Sequence, residues 1–172
     1  MRKLENYTEE EWEVVSSLPH LVGLAMSGIA ASGIVGTTKE MMAHSKAWKA
    51  AKEKYPDNEL IQAMMPNMES IESAMSDAKE KREAILDKMK SNDVRDGEGL
   101  AAIVMEDAAR AIDILETKEE PHVVEEFKTW LADIASDVAH AGTEGDFFGF
   151  GGTQYSDKEK KLFDNLNEAM KS

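Results

Sequence analysis

The chain has 172 residues, 42% of them hydrophobic and 31% charged, and its 34 acidic residues against 20 basic ones give a net charge of −14. That composition is too apolar for a disordered chain, and a domain of this length buries about 70% of the surface its unfolded form exposes. With no cysteine present, disulfides, thiolate nucleophiles, iron–sulfur clusters and Cys-type zinc sites are excluded together, and the acidic excess repels phosphate backbones, which argues against nucleic acid and anionic membranes as partners.

The opening residues, Met1 to Asn6, place no apolar stretch behind Arg2 and Lys3, so no signal peptide is expected. Thr8-Glu9-Glu10-Glu11 has the form of a capping box, with Tyr7 and Trp12 at the positions of a hydrophobic staple. Pro19 predicts a bend, because it removes a donor and crowds the preceding turn. From Val14 to Thr38 there is no Asp, Glu, Lys or Arg. That length is enough to span a bilayer, yet Pro19, His20, four serines and four glycines dilute it, and no basic cluster marks one side. Gly23, Ser27 and Ala31 form one row of small residues, and Gly28, Ser32 and Gly36 another. Such rows allow close helix approach, so residues 18–32 are expected to be a buried central helix rather than a membrane span.

Gly33 to Thr38 reads as a break, with Thr37 or Thr38 capping a second helix toward Tyr55. Pro56-Asp57-Asn58 marks the next boundary. A third helical region to about Lys90 carries the stripe Met68, Ile71, Met75, Ala78, Ile85 and Met89, with Arg82 in the remaining slot and Pro66 breaking it early. Ser91 to Gly99 is a polar connection, and a fourth helix uses Leu100, Val104, Ala108, Ala111 and Leu115. Glu120-Pro121 opens the fifth, where a missing N–H costs nothing. Its Val124, Phe127, Leu131, Ile134, Val138 and Ala141 advance in steps of three and four. After the Gly- and Phe-rich stretch 142–152, Ser156 to Glu159 is a second capping box, and Leu162, Phe163, Leu166 and Met170 point inward from a last helix. The expectation is an all-α fold: one domain over residues 1–172, about six helices around a central helix rich in small residues.

Two segments carry a resemblance. The first is Trp12, Pro19, Gly23-Leu24-Ala25, Gly33, Gly36 and Lys39-Glu40; the second is Trp130-Leu131, Val138-Ala139, Phe147 to Gly152, Ser156 and Glu159-Lys160. Together they resemble a family of small, mainly bacterial, helical proteins of no assigned function, whose members place a Gly-Phe-Leu-Gly-Phe-Gly-Gly-like stretch before a terminal Ser-x-x-Glu helix. Members of that family often have Asp-Pro where this chain has Ala31-Ser32, so no role for that aspartate carries over. The resemblance implies a single helical domain and supplies no catalytic residues.

Among chemical signals, Phe147, Phe148, Gly149, Phe150, Gly151 and Gly152 are the most distinctive. Glycines before a helix can form an anion-binding nest, but no P-loop Lys-Ser or Lys-Thr follows, and Glu144, Asp146, Asp157 and Glu159 would surround an anion with negative charge. Burial of the three phenylalanines as a plug competes with their use as a contact surface. Asp133, Asp137 and His140 recur at turn spacing, and Glu40 with His44 and His122 with Glu126 stand at i, i+4, which can place two ligands on one side of a helix. A di-iron centre of the ferritin kind needs two Glu-x-x-His repeats, and the sequence holds only one, Glu119 to His122. His20 lies inside the apolar helix, where a hydrogen-bonded core role competes with a ligand or proton-transfer role. Eleven methionines are read as core filler before an adaptable groove, no Gly-x-Ser-x-Gly elbow occurs, and Asp113 and Glu116 read as a solvated edge. The sequence is read as a cytoplasmic binding or structural module for a protein partner or for itself, non-catalytic and without a cofactor, with its contact surface at Phe147–Gly152. The alternative is a metal or small-ligand protein using His20 or the Asp133–Asp137–His140 face.

Overall fold

The computed structural model describes the backbone at residues 4–30, 38–65, 83–143 and 157–171, and the side chains within these except at 28–30, 38–45 and 141–143. Outside the described side chains fall the Phe147–Gly152 stretch, the small residues from Gly28 to Gly36, Met68 to Arg82 of the third stripe, the Glu40–His44 pair, Thr37, Met41, Met42, Ala141 and Ser156. All regular structure among the described residues is helical: α1 (Glu9–Ala30), α2 (Thr38–Lys54), α3 (Glu59–Met64), α4 (83–91), α5 (Gly97–Lys118), α6 (Pro121–Thr143) and α7 (Asp157–Ala169). The count exceeds six because α3 ends just before Pro66, with Met65 extended as its cap, as the residue preceding proline favours.

The first helix starts as its sequence dictates. The Thr8 N–H donates to Glu11 Oε2 at 2.8 Å and the Glu11 N–H returns to Thr8 Oγ1 at 3.2 Å, while Tyr7 and Trp12 pack edge to face with centroids 5.6 Å apart. α1 runs unbroken through Pro19, so the expected bend does not interrupt it. Val15, Leu18, Leu21, Val22, Ala25 and Met26 are buried, and the Ser27 hydroxyl donates to the Gly23 carbonyl at 2.9 Å, which lets a polar residue sit in an apolar seam. α1 packs against α5, α6 and α7. It is therefore the hub of the described helices, and its apolar surface is used on protein neighbours. No described helix is long and apolar enough to cross a membrane.

Two polar devices set the direction of the neighbouring helices. Tyr7 donates to Glu119 Oε1 at 2.5 Å, and Lys118 reaches the Asn6 carbonyl at 2.8 Å and Glu11 at 3.1 Å, so α1 begins where α5 ends and the two run antiparallel. Asn58 caps α3 by accepting the Ile61 N–H at 3.0 Å. Its amide also donates to the Val123 carbonyl at 3.3 Å and to Glu126 at 2.8 Å. That fixes the end of α2 beside the start of α6, making this pair antiparallel too. Ala30, Thr38 and Thr143 consequently lie at one end of the bundle.

The α4–α5 turn closes by the Val94 N–H donating to the Met89 carbonyl at 2.9 Å, with Asp93 left-handed at φ 52°, a Schellman-type stop. α5 then opens at Gly97, three residues before its first apolar position, because the Asp96 carboxylate caps the Gly99 N–H at 2.9 Å. The expected stripes of α5 and α6 are buried at every described position: Leu100, Val104, Ala108, Ala111 and Leu115 on one, Val124, Phe127, Leu131, Ile134 and Val138 on the other. Ile85 and Met89 of α4 and Leu162, Leu166 and Met170 at the C-terminus join the same core, with Phe163 packed at its edge.

Candidate functional site

His20 stands half-way along α1, on the side that meets α2. Its imidazole stacks on the Trp48 indole with ring centroids 4.2 Å apart and planes 25° apart. Trp48 meets Trp130 of α6 edge-on at 5.0 Å, and Trp130 meets Phe127 in the same way at 6.0 Å. The histidine is thus a half-buried member of an aromatic row joining three helices. This geometry stabilises a helix junction through offset and T-shaped ring contacts. Both Trp48 and Trp130 are buried, and Trp130 is the largest side chain in the deep core. Among the described residues the Trp130 indole N–H has no hydrogen-bond partner, so the aromatic row itself is held by ring packing.

The polar face of α6 is divided among structural tasks. Asp133 pairs with Lys54 of α2 at 2.7 Å, and that link holds the Lys54 ammonium up at about 12, with the Tyr55 ring beside it. The Nδ1 of His140 donates to the Ser136 carbonyl one turn earlier at 2.7 Å, so a metal could be reached only through Nε2. Asp137 is exposed. The three residues therefore keep their helical spacing without converging, and among the described residues no group of three or more His, Asp or Glu is placed to hold a metal ion. In the other spaced pair His122 is exposed, while Glu126 accepts from Asn58. Of the two acidic residues read as a solvated edge, Asp113 is exposed and Glu116 is paired with Lys128 at 3.3 Å.

Sequence reasoning missed a largely buried ion pair. Asp107 lies in the buried stripe of α5, 5% exposed, and accepts from Lys88 of α4 at 2.6 and 2.5 Å through its two oxygens. The signal was a carboxylate interrupting an apolar row, but its partner is 19 positions earlier on another helix. Nearby, a cleft of about 180 Å³ between α1, α4 and α5 has Val14, Leu21 and Ile85 in its wall and Glu13, Lys88 and Arg110 at its edge. Arg110 is committed to Glu10 at 2.7 Å, which raises the guanidinium above its ordinary value. Lys88 is committed to Asp107. The cleft walls are aliphatic, and both cations at its edge are already paired.

Comparison with known proteins adds no further residue roles: no family model, no curated protein and no solved structure matches the chain.

Proposed function

We propose that this chain is a non-catalytic helical module of the cytoplasm that binds a protein partner or itself, with Phe147–Gly152 as its contact surface. One observation carries this reading. The charged and polar groups that the fold brings together are engaged with one another across helix boundaries: Asp107 with Lys88, Asp133 with Lys54, Glu10 with Arg110, Glu11 with Lys118 and Glu126 with Asn58. A general acid or base needs a carboxylate or imidazole poised toward a substrate cleft, with its proton affinity matched to that task. Here the same residue types act as fasteners between helices. The Phe147–Gly152 stretch supports a contact role through its composition, since three phenylalanines among glycines offer large apolar area on a backbone free of bulky neighbours. A chain without thiols and with a net charge of −14 also suits a reducing, crowded compartment.

The double substitution Phe148→Ala with Phe150→Ala separates contact from core. A contact surface predicts a variant with wild-type helicity and a melting temperature within a few degrees of the parent, because the α1-centred core is untouched. Loss of cooperative unfolding in that variant would make the phenylalanines core residues and remove the proposed surface.

A further inference from the structure

The charge of this molecule is unevenly distributed. α2 carries Lys39, Lys46, Lys49, Lys52 and Lys54 against Glu40 and Glu53, so 5 − 2 gives +3, and the rest of the chain must total −17 to reach −14. Among the described helices α2 alone is net positive: α5 has five carboxylates against Arg110 and Lys118, and α1 has four against none. Ala47, Trp48, Ala51 and Tyr55 face the core, which turns Lys46, Lys49 and Lys52 outward as a row at i, i+3 and i+6. All three are exposed and make no ion pair with any described residue, in contrast to Lys54. In a strongly acidic chain, Lys46, Lys49 and Lys52, exposed on one helix flank and without an ion pair among the described residues, form a surface with a defined electrostatic complement.

That complement is present on the same chain. Leu100, Val104, Asp107, Ala111 and Leu115 take α5 inward, and the opposite side carries exposed Glu98, Glu106 and Asp113, none of them in an ion pair with a described residue. The two rows do not pair within one molecule: α2 packs chiefly on α6 and α5 chiefly on α1, and among the described residues no ion pair joins the rows. We infer that the lysine row of α2 docks on the acidic face of α5 of a second copy of this chain. The contact is head-to-tail, so its repetition gives a closed ring or an open chain of subunits. Repulsion between whole molecules is screened beyond about 8 Å at physiological ionic strength, while facing lysines and carboxylates act inside that distance. The same surface charge outside α2 repels polyphosphate, which makes nucleic acid the poorer occupant. This proposal concerns a different surface from Phe147–Gly152, so its failure leaves the test of that stretch unaffected.

Sedimentation velocity of the full chain across a concentration series, between about 0.05 M and about 0.5 M salt, reads the association directly. The expected result is a species heavier than the 19.0 kDa chain at low salt that is lost at high salt. Two charge-reversed proteins complete the test: Lys46→Glu/Lys49→Glu/Lys52→Glu, and Glu98→Lys/Glu106→Lys/Asp113→Lys. Each alone is expected to remain a monomer, because like faces then oppose each other, and their equimolar mixture is expected to regain the heavier species. A wild-type chain that stays monomeric at low salt overturns the proposal. So does association that persists in the α2 variant, or a mixture of two helical variants that fails to associate.

Discussion

The carboxylate of Asp107 occupies a stripe position that the rest of α5 fills with aliphatic side chains, and Lys88 neutralises it there. Lys88 keeps its own side chain 31% exposed, so the pair is half in water even though the carboxylate is 7% exposed. Removing the charge with Asp107→Asn strands an ammonium beside an apolar wall, but one that can turn outward. The expected loss is about 1–3 kcal/mol, below that of a fully buried pair, measured as a lower urea midpoint at unchanged slope. Adding Lys88→Met should recover most of it, and a double variant no better than the single one would contradict this picture. Glu11 gives a pH test at the same scale. The Thr8 backbone N–H and then Lys118 hold its carboxyl below its ordinary value of 4.5. A lowered folded-state value contributes stability above the unfolded value, and that contribution disappears as pH falls through the folded one. Glu11→Gln should therefore be less stable than the parent at neutral pH and converge with it in acid. Two curves that stay parallel throughout the acid range would contradict the assignment.

At the scale of elements, what could be read from sequence follows from what is local. The Thr8–Glu11 box, the Tyr7–Trp12 staple and the three-and-four stepping of α6 need only neighbours within a turn or two, and each appears as its residues dictate. The beginning of α5 shows where local reading stops. Gly97 and Gly99 look like loop residues, yet the Asp96 cap draws both into the first turn. Neither glycine has a positive φ, and a Cβ at Gly99 would meet Asp96 Oδ1 and Val94 Cγ1 at 3.5 Å, ordinary contact distances. Gly99→Ala should then raise stability by up to about 1 kcal/mol through helix propensity and a less mobile unfolded chain, read as a melting temperature higher by a few degrees. A lower melting temperature would mean that this turn needs glycine. The His20–Trp48–Trp130 row was illegible for the opposite reason: its members come from three helices, and ring contacts between distant residues leave no trace in local periodicity. His20 itself stood out in the sequence, but only the fold reveals the ring it stacks on.

Across the whole molecule, the uncharged run after Val14 becomes intelligible once α1 is surrounded by α5, α6 and α7. A helix packed on several sides is apolar for that reason, and Ser27 is accommodated in it by donating back to the Gly23 carbonyl. Ion pairs and capping side chains tie the outer helices to this hub, and the surface charge is then sorted into one basic flank and a broad acidic remainder. On the proposed reading the molecule works through its surfaces, with no resident metal or small molecule at His20 or on the Asp133–Asp137–His140 face. Native mass spectrometry of gently purified, untagged protein tests this most directly. The expected result is the bare 19.0 kDa chain or integer multiples of it. A reproducible additional mass of a metal or small molecule, lost on His20→Ala or His140→Ala in a folded variant, would contradict it.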